Sequence, residues 1–269
     1  MLRTSCLFLL LLLSPQLPAL STPPIPSTAI LANQSKETTP LRTIQITPKK
    51  TTFTWGKPGG DRSEYREAKL TYPTVTGLTD QDLQDKIQEA ISLKSAFGRS
   101  LADMAADFQE SHWLESLTYT VNYNDHSLLS LTYSGMGIGA YPSSFVRYRS
   151  VNLATGQVLR AHHLFKTEAL GMLALKINQQ LQAAIQTQVA ELDKPDYKDI
   201  DPKIFSAHRF RIKNLNDFTL TPEGVIFHYQ FGFPHAILAL EPKGDFLMTY
   251  EQLKPYLKSG SPLEAVVKH

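Results

Sequence analysis

The chain has 269 residues, of which 42% are hydrophobic and 10% aromatic, and a formal charge of +2. That length and composition suffice for a packed core without cross-links, and so small a charge argues against nucleic acid as a partner. Cys6 is the single cysteine, so beyond the extreme N-terminus there is no thiolate for metal or nucleophilic chemistry and no disulfide.

The chain begins MLRTSCLFLLLLLSPQLPALSTPP. Arg3 is a minimal basic start, and the apolar run of residues 6–13 is shorter than the roughly 20 residues that cross a bilayer but suits a secretory signal. Ala19 and Ser21 supply the small residues a signal peptidase reads. Residues 1–21 are therefore expected to be a cleaved signal peptide and the product periplasmic or secreted, with an uncleaved anchor as the alternative. No later stretch reaches membrane-spanning length. Residues 22–50 are rich in Pro, Ser and Thr without sustained period, and are expected to form a flexible linker. One globular domain is expected over residues 51–269.

Along that domain, REAKLTYPTVTG predicts a strand with Leu70, Tyr72 and Val75 on its apolar face, and Pro73 marks it as an edge strand or a broken one. Thr79 is the expected N-cap of a helix that aligns Leu83, Ile87 and Ile91. A second helix follows Gly98 and carries Leu101, Met104, Ala105 and Phe108. The period then changes to two. Tyr119, Val121 and Tyr123, then Leu129, Leu131 and Tyr133, alternate with polar residues around the turn cluster Asn124-Asp125-His126-Ser127, which predicts a hairpin. SFVRYRSVNL is a third strand of this set, closed by an ATGQ turn.

HHLFKTEALGMLALKINQQLQAAIQTQVAEL carries the strongest helical pattern. Leu170, Leu173, Ile177, Leu181, Ile185 and Val189 form one stripe, and Pro195 ends it. DFTLTPEGVIFHYQFGF predicts a hairpin through Thr221-Pro222-Glu223-Gly224, and GDFLMTYEQLKPYL a strand and a short helix capped by Thr249. Strands adjacent in sequence and broken by helices predict an α+β fold, with a largely antiparallel sheet packed against the long amphipathic helix and further helices toward the N-terminus.

The segment YSGMGIGAYPSSFVRYRS concentrates glycine. A dinucleotide loop needs glycines that run from a strand straight into a helix, whereas Gly135, Gly137 and Gly139 run from strand to strand with G-x-G-x-G spacing. A glycine-permitted strand connection or bulge is the expected reading. Tyr141 and Pro142 fall at its apex.

With the glycine-rich GAYP, NLATGQVL, HHLF, the long helix, and FTLTPEGVIFHYQFGFPHAILALEP followed by YEQLKPYL, residues 69–257 resemble one extracytoplasmic module. It is the domain of unknown function that forms the ectodomain of RsiV-type, lysozyme-sensing anti-sigma factors and accompanies some peptidoglycan deacetylases. The family loop commonly reads GAHP, so Tyr141 stands where His is usual. The resemblance implies a sensing or binding module without the anti-sigma factor's membrane helix or the deacetylase's catalytic domain. It implies a lysozyme-like protein or cell-wall peptidoglycan as partner.

The residues themselves offer no G-x-S-x-G, H-E-x-x-H or EF-hand pattern, so no catalytic residue, cofactor or metal is expected. His162 and His163 read as a pair at a helix start with one ring capping or packing, and Asp217, Glu223 and Glu241 as solvated carboxylates at turns. A cell-wall hydrolase of unrecognised type and a structural envelope protein are the alternatives to a binding module. Arg147 and Arg149 share one face of a predicted strand, and Arg209, Arg211 and Lys213 one face of HRFRIKN. If adjacent, these cations would line one sheet surface. The candidate binding residues are Tyr141, Pro142, Pro234, His235, Arg147 and Arg149. The two proline-bearing loops could reach one rim of the sheet and form a recognition lip, with Tyr141 folded over the sheet end and covering core as the alternative.

Overall fold

The computed structural model describes residues 43–61, 64–192, 194, 197 and 199–267. The expected signal peptide, Pro195 and residues 22–42 of the expected linker lie outside them. The end of that linker is strand instead. Ile44 is buried and β1 (Gln45–Gly56) pairs along its whole length with β2 (Tyr65–Thr76). β-branched threonines suit that pairing, and Thr47 and Thr74 join their hydroxyls across it at 2.8 Å. Pro48 and Pro73 face each other. Val75 N–H points away from β1 to Gln88 Oε1 at 2.9 Å. By the alternation of an antiparallel ladder, both prolines then sit where no inter-strand donor is needed. On its other side β2 has only Lys69 and Leu70 in register with a neighbour, so Pro73 lies past the end of that pairing, while the strand itself runs unbroken through it and the break expected there is not found. Tyr72, expected on the apolar face, is only half-buried, and Ala68, Leu70, Pro73 and Val75 are the buried positions.

Three helices cover one face of this sheet. In α1 (Gln81–Ala90) the cap is Asp80 rather than Thr79, its carboxylate accepting from Leu83 N at 3.0 Å, and Leu83, Ile87 and Ile91 are buried as expected. A short helix α2 (Leu93–Phe97) ends at Gly98, whose φ of 72° favours glycine. α3 (Leu101–Ser111) starts with a reciprocal capping box between Ser100 and Asp103 and buries Phe108.

The hairpin of β3 (Leu114–Asp125) and β4 (Leu128–Ile138) turns through His126 and Ser127, with φ of 51° and 59°. Two left-handed residues are what a two-residue hairpin of matching twist requires. A register shift between Val121 and Tyr123 rotates the strand, so Val121, expected inside, is 40% exposed while Tyr123 is buried. β5 (Pro142–Asn152) and the two-residue β6 (Gln157–Val158) complete a six-stranded sheet in sequential order, antiparallel except between β2 and β3.

The long helical pattern divides. His162 and His163 lie in α4 (Ala161–Leu164), Phe165 is extended and bridges to Leu257, and α5 (Leu170–Glu191) follows a single 3-10 turn. Leu173, Ile177, Leu181 and Ile185 of α5 are buried as the stripe predicts. They pack with a second, antiparallel sheet of β7 (Phe218–Leu220), β8 (Gly224–His228) and β9 (Asp245–Thr249). Thr249 caps α6 (Tyr250–Leu253) with a capping box, and a terminal turn of helix, α7 (Glu264–Val267), follows.

Two hydrophobic cores result. One lies between the large sheet and α1–α3, the other around α5 and the small sheet. β4 serves both, sending Leu129, Leu131 and Tyr133 into the first and Leu128 into the second. Ile177 and Leu181 have no solvent exposure, so replacing either by Ala should cost about 2–5 kcal/mol in urea unfolding. Losses near zero at both would contradict this packing.

Candidate functional site

The uncovered end of β4 and β5 gathers most of the expected binding residues. Ile138 pairs with Pro142, so the connection is only residues 139–141, and Gly139 N–H donates to Tyr141 O at 3.3 Å. Tyr141 is 62% exposed and stacks on His235, ring centroids 4.5 Å apart and 15° from parallel. His235 follows Pro234 at the start of a 3-10 turn, His235–Leu240, and not at a strand end as expected, because β8 stops at His228. The structure therefore brings Tyr141 and Pro142 to Pro234 and His235 at one rim. Tyr141 is not folded over the core.

The glycines have a different role from the one their spacing predicts. Gly135 and Gly137 are strand residues without positive φ. What they provide is room. A Cβ on Gly135 would collide with the Phe145 ring, and one on Gly137 with the Trp113 indole. Trp113 and Phe145 stack at 5.4 Å and 30°. Beside them a cavity of about 690 Å³ is floored by Phe97, Met104, Phe108 and Leu114, with Arg99, Asp107, Glu110 and Arg147 at its edge. Arg99 and Asp107 form an ion pair. Trp113 carried no signal in the sequence, since its seat on Gly137 is a tertiary contact.

Arg147 and Arg149 part company. Arg147 is exposed and donates to its neighbour's carbonyl, Val146 O, at 2.8 Å. Arg149 donates to Tyr148 O at 3.0 Å and to Ser95 O, and so caps the C-terminal turn of α2. Burial lowers its pKa. Arg149 ties helix to sheet and takes no part in the rim. HRFRIKN forms no strand: Phe210 is buried, Arg209 donates to Gln182 Oε1 at 3.3 Å, and residues 212–216 are 3-10. Arg209, Arg211 and Lys213 line a cleft against α5, while Arg147 and Arg149 line another with Asp217 and His228. The five cations thus divide between two places.

That second cleft holds a polar arrangement with no local signature in the sequence. His228, 7% exposed, has Nδ1 at 2.7 Å from Asp245 Oδ1 and Nε2 at 3.0 Å from Thr219 Oγ1. Its ring lies on Tyr148 at 3.7 Å and 7°. His228 and Asp245 face each other across β8 and β9, a register that no local pattern encodes. The hydrogen bond from His228 holds the Asp245 carboxyl below the usual carboxylate range. Burial pushes the Tyr148 phenol up to about 12, with Asp245 and Asp217 adding to it. Burial also raises the Asp217 carboxyl, against the pull of His228, Arg160, Arg147 and Arg149, although its outer edge is open to solvent.

The remaining histidine pair is a capping device, as expected. His163 Nδ1 accepts from Arg160 N at 3.0 Å and Nε2 lies 3.2 Å from Gln157 Nε2, while the two imidazoles are tilted 59°. Glu241 accepts from Phe231 N at 3.2 Å, and Glu223 is exposed at its turn.

A six-stranded sheet backed by helices, with a small second sheet and an uncovered aromatic rim, is the class of architecture to be placed among known proteins. No family model and no curated protein matches the chain. Solved structures share its fold, among them two from one family. A member of the DUF3298 family from Bacteroides fragilis is 14% identical with a TM-score of 0.55, over 84% of this chain and 97% of that one. A DUF3298 family protein from Pseudomonas aeruginosa is 16% identical with a TM-score of 0.53, over 80% and 96%. This supports likeness to a family built on a domain of unknown function.

The Asp245 shift has a signed consequence. A carboxyl with depressed folded pKa stabilises the fold above its unfolded value, about 3.9, and that contribution is lost as pH falls through the lower folded value. Asp245→Asn should therefore lower the unfolding midpoint at pH 7. The gap to the parent protein should close as pH falls below about 4. A gap independent of pH would contradict the pairing.

Proposed function

We propose that the chain is an exported, non-catalytic binding or sensing module of the bacterial cell envelope, whose contact surface is the Tyr141/His235 rim. The observation that carries this reading is the stacked, solvent-exposed pair itself, which holds two loops distant in sequence together. Large aromatic surfaces fixed on loops give contact area at low entropic cost and recur as binding anchors. The partner fitting the resemblance to the lysozyme-sensing ectodomains is a lysozyme-like protein or cell-wall glycan. The apolar start of the sequence, with its short run and small residues, supports export.

A second observation favours binding over hydrolysis. Thr219, His228 and Asp245 follow the order of a nucleophile, base and carboxylate. Thr219, however, is 2% exposed, and its hydroxyl is engaged inside the small sheet. A substrate carbonyl has no approach to it, so the arrangement reads as a structural link between β7, β8 and β9.

The test is capture on immobilised lysozymes and co-sedimentation with purified peptidoglycan, with muropeptide masses recorded. Tyr141→Ala should weaken binding by about 1–3 kcal/mol, in the range of an interface anchor, and leave the melting temperature within error. Lowered stability with unchanged affinity, or new muropeptides, would contradict the proposal.

A further inference from the structure

We infer that the groove beside Trp113 and Phe145 is a saccharide site that takes the pyranose ring of an oligosaccharide. This rests on the reading of the chain as a binding module, but it concerns a surface other than the Tyr141/His235 pair.

The first ground is the way Trp113 is held. His112, in the left-handed conformation with φ of 51°, ends α3 and turns the chain so that Trp113 leaves over β4. Trp113 N–H donates to Ser111 Oγ at 3.3 Å, and its carbonyl accepts from Ile138 N at 2.7 Å. The indole lies over Gly137 and against Phe145, which itself lies over Gly135. Backbone and ring are both fixed, yet Trp113 keeps 38% exposure. A planar aromatic surface held open in this way has little freedom left to lose on binding.

The second ground is the chemistry of the walls. The cavity, about 690 Å³, has the size and the apolar, aromatic lining usual for small-ligand sites. Its edge carries both signs, with Arg99 and Arg147 beside Asp107 and Glu110. A pyranose has one face of C–H groups, weakly positive, which suits the negative face of an aromatic ring. Around its edge are hydroxyls that both donate and accept, which suits guanidinium and carboxylate groups together. A wholly apolar ligand would strip water from those charges without replacing it, and a polyanion would meet Asp107 and Glu110. A neutral polyhydroxylated ring satisfies floor and edge at once. The proposal also accounts for two glycines one residue apart in a strand, since a side chain at either would lift a ring out of place.

Trp55 and Trp113 are the only tryptophans, so Trp55→Phe in the full chain makes Trp113 the sole reporter. Its emission should shift saturably on titration with chitotetraose, cellotetraose or solubilised peptidoglycan strands. Calorimetry should show binding at least about tenfold weaker in Trp113→Ala, the loss expected of a central aromatic anchor. Because Trp113→Ala removes packing from Phe145, Arg147→Gln at the exposed edge is the second variant, and it too should weaken saccharide binding several-fold. Emission unchanged by all three saccharides at millimolar concentration would overturn the inference. So would saccharides without effect alongside loss of lysozyme capture in Trp113→Ala, which would assign the groove to a protein side chain. A flat saccharide titration in a protein that still captures lysozyme would remove the groove site and leave the rim reading standing. A saturable titration unchanged by Tyr141→Ala, in a protein that captures no lysozyme, would do the reverse.

Discussion

Strand β4 is buried on both faces for half its length, and the rest of the structure depends on that. Alternation along the strand sends Leu129, Leu131 and Tyr133 against α1–α3 and turns Leu128 and Ser130 toward the small sheet and α5. A slip of one residue would exchange the two sets, so the register is strongly determined. The polar member of the set is satisfied. Ser130 Oγ lies 2.9 Å from Ser150 Oγ and accepts from Leu220 N at 3.0 Å, a hydrogen bond from one sheet to the other. On the opposite face the Tyr133 hydroxyl donates to Ile91 O, and burial keeps that phenol protonated far above neutral pH. Unpaired, either group would cost about 1–3 kcal/mol in so dry a setting.

From Gly135 onward the same strand sends no side chain of its own into either core, and there its character changes. The glycines stop contributing side chains and receive rings from elsewhere, Phe145 from β5 and Trp113 from the end of α3. The three-residue connection then presents Tyr141 to His235. A strand anchored between two cores at one end and covered by part-exposed aromatic rings at the other is a rigid support for an exposed contact surface, which is where recognition residues concentrate. Arg149 belongs to the anchoring half because its guanidinium reaches α2, and Arg147, two residues nearer the rim, belongs to the open half.

What could be read in the sequence was what neighbours along the chain decide. The stripe from Leu173 to Ile185, the Thr249 cap and the hairpin through Thr221 and Gly224 are local patterns, and all are present. The meeting of Tyr141 with His235 is not legible in the sequence, since the two segments belong to different sheets and His235 lies seven residues beyond the end of β8. Long-range pairing was not legible. The start of β1 resembles linker because Pro and Thr dominate it, and only the partner strand β2 makes it a strand. Alternation alone points Val121 inward, because a bulge has no sequence signature of its own. Nothing local marks His228, because Asp245, its partner, is 17 positions away and meets it only through the register of the small sheet. The glycine cluster resembles a strand connection or bulge for the same reason, since the rings that need the space come from other elements.

Amide hydrogen exchange, followed by mass spectrometry with and without a bound lysozyme or peptidoglycan, tests the central claim most directly. Peptides spanning residues 128–133 should be protected to the level of global unfolding in both states. Peptides spanning residues 138–145 and 232–237 should exchange readily in the free protein and become protected together when the partner binds. Protection that appears elsewhere while both loops continue to exchange, or fast exchange within residues 128–133 of the free protein, would contradict the account.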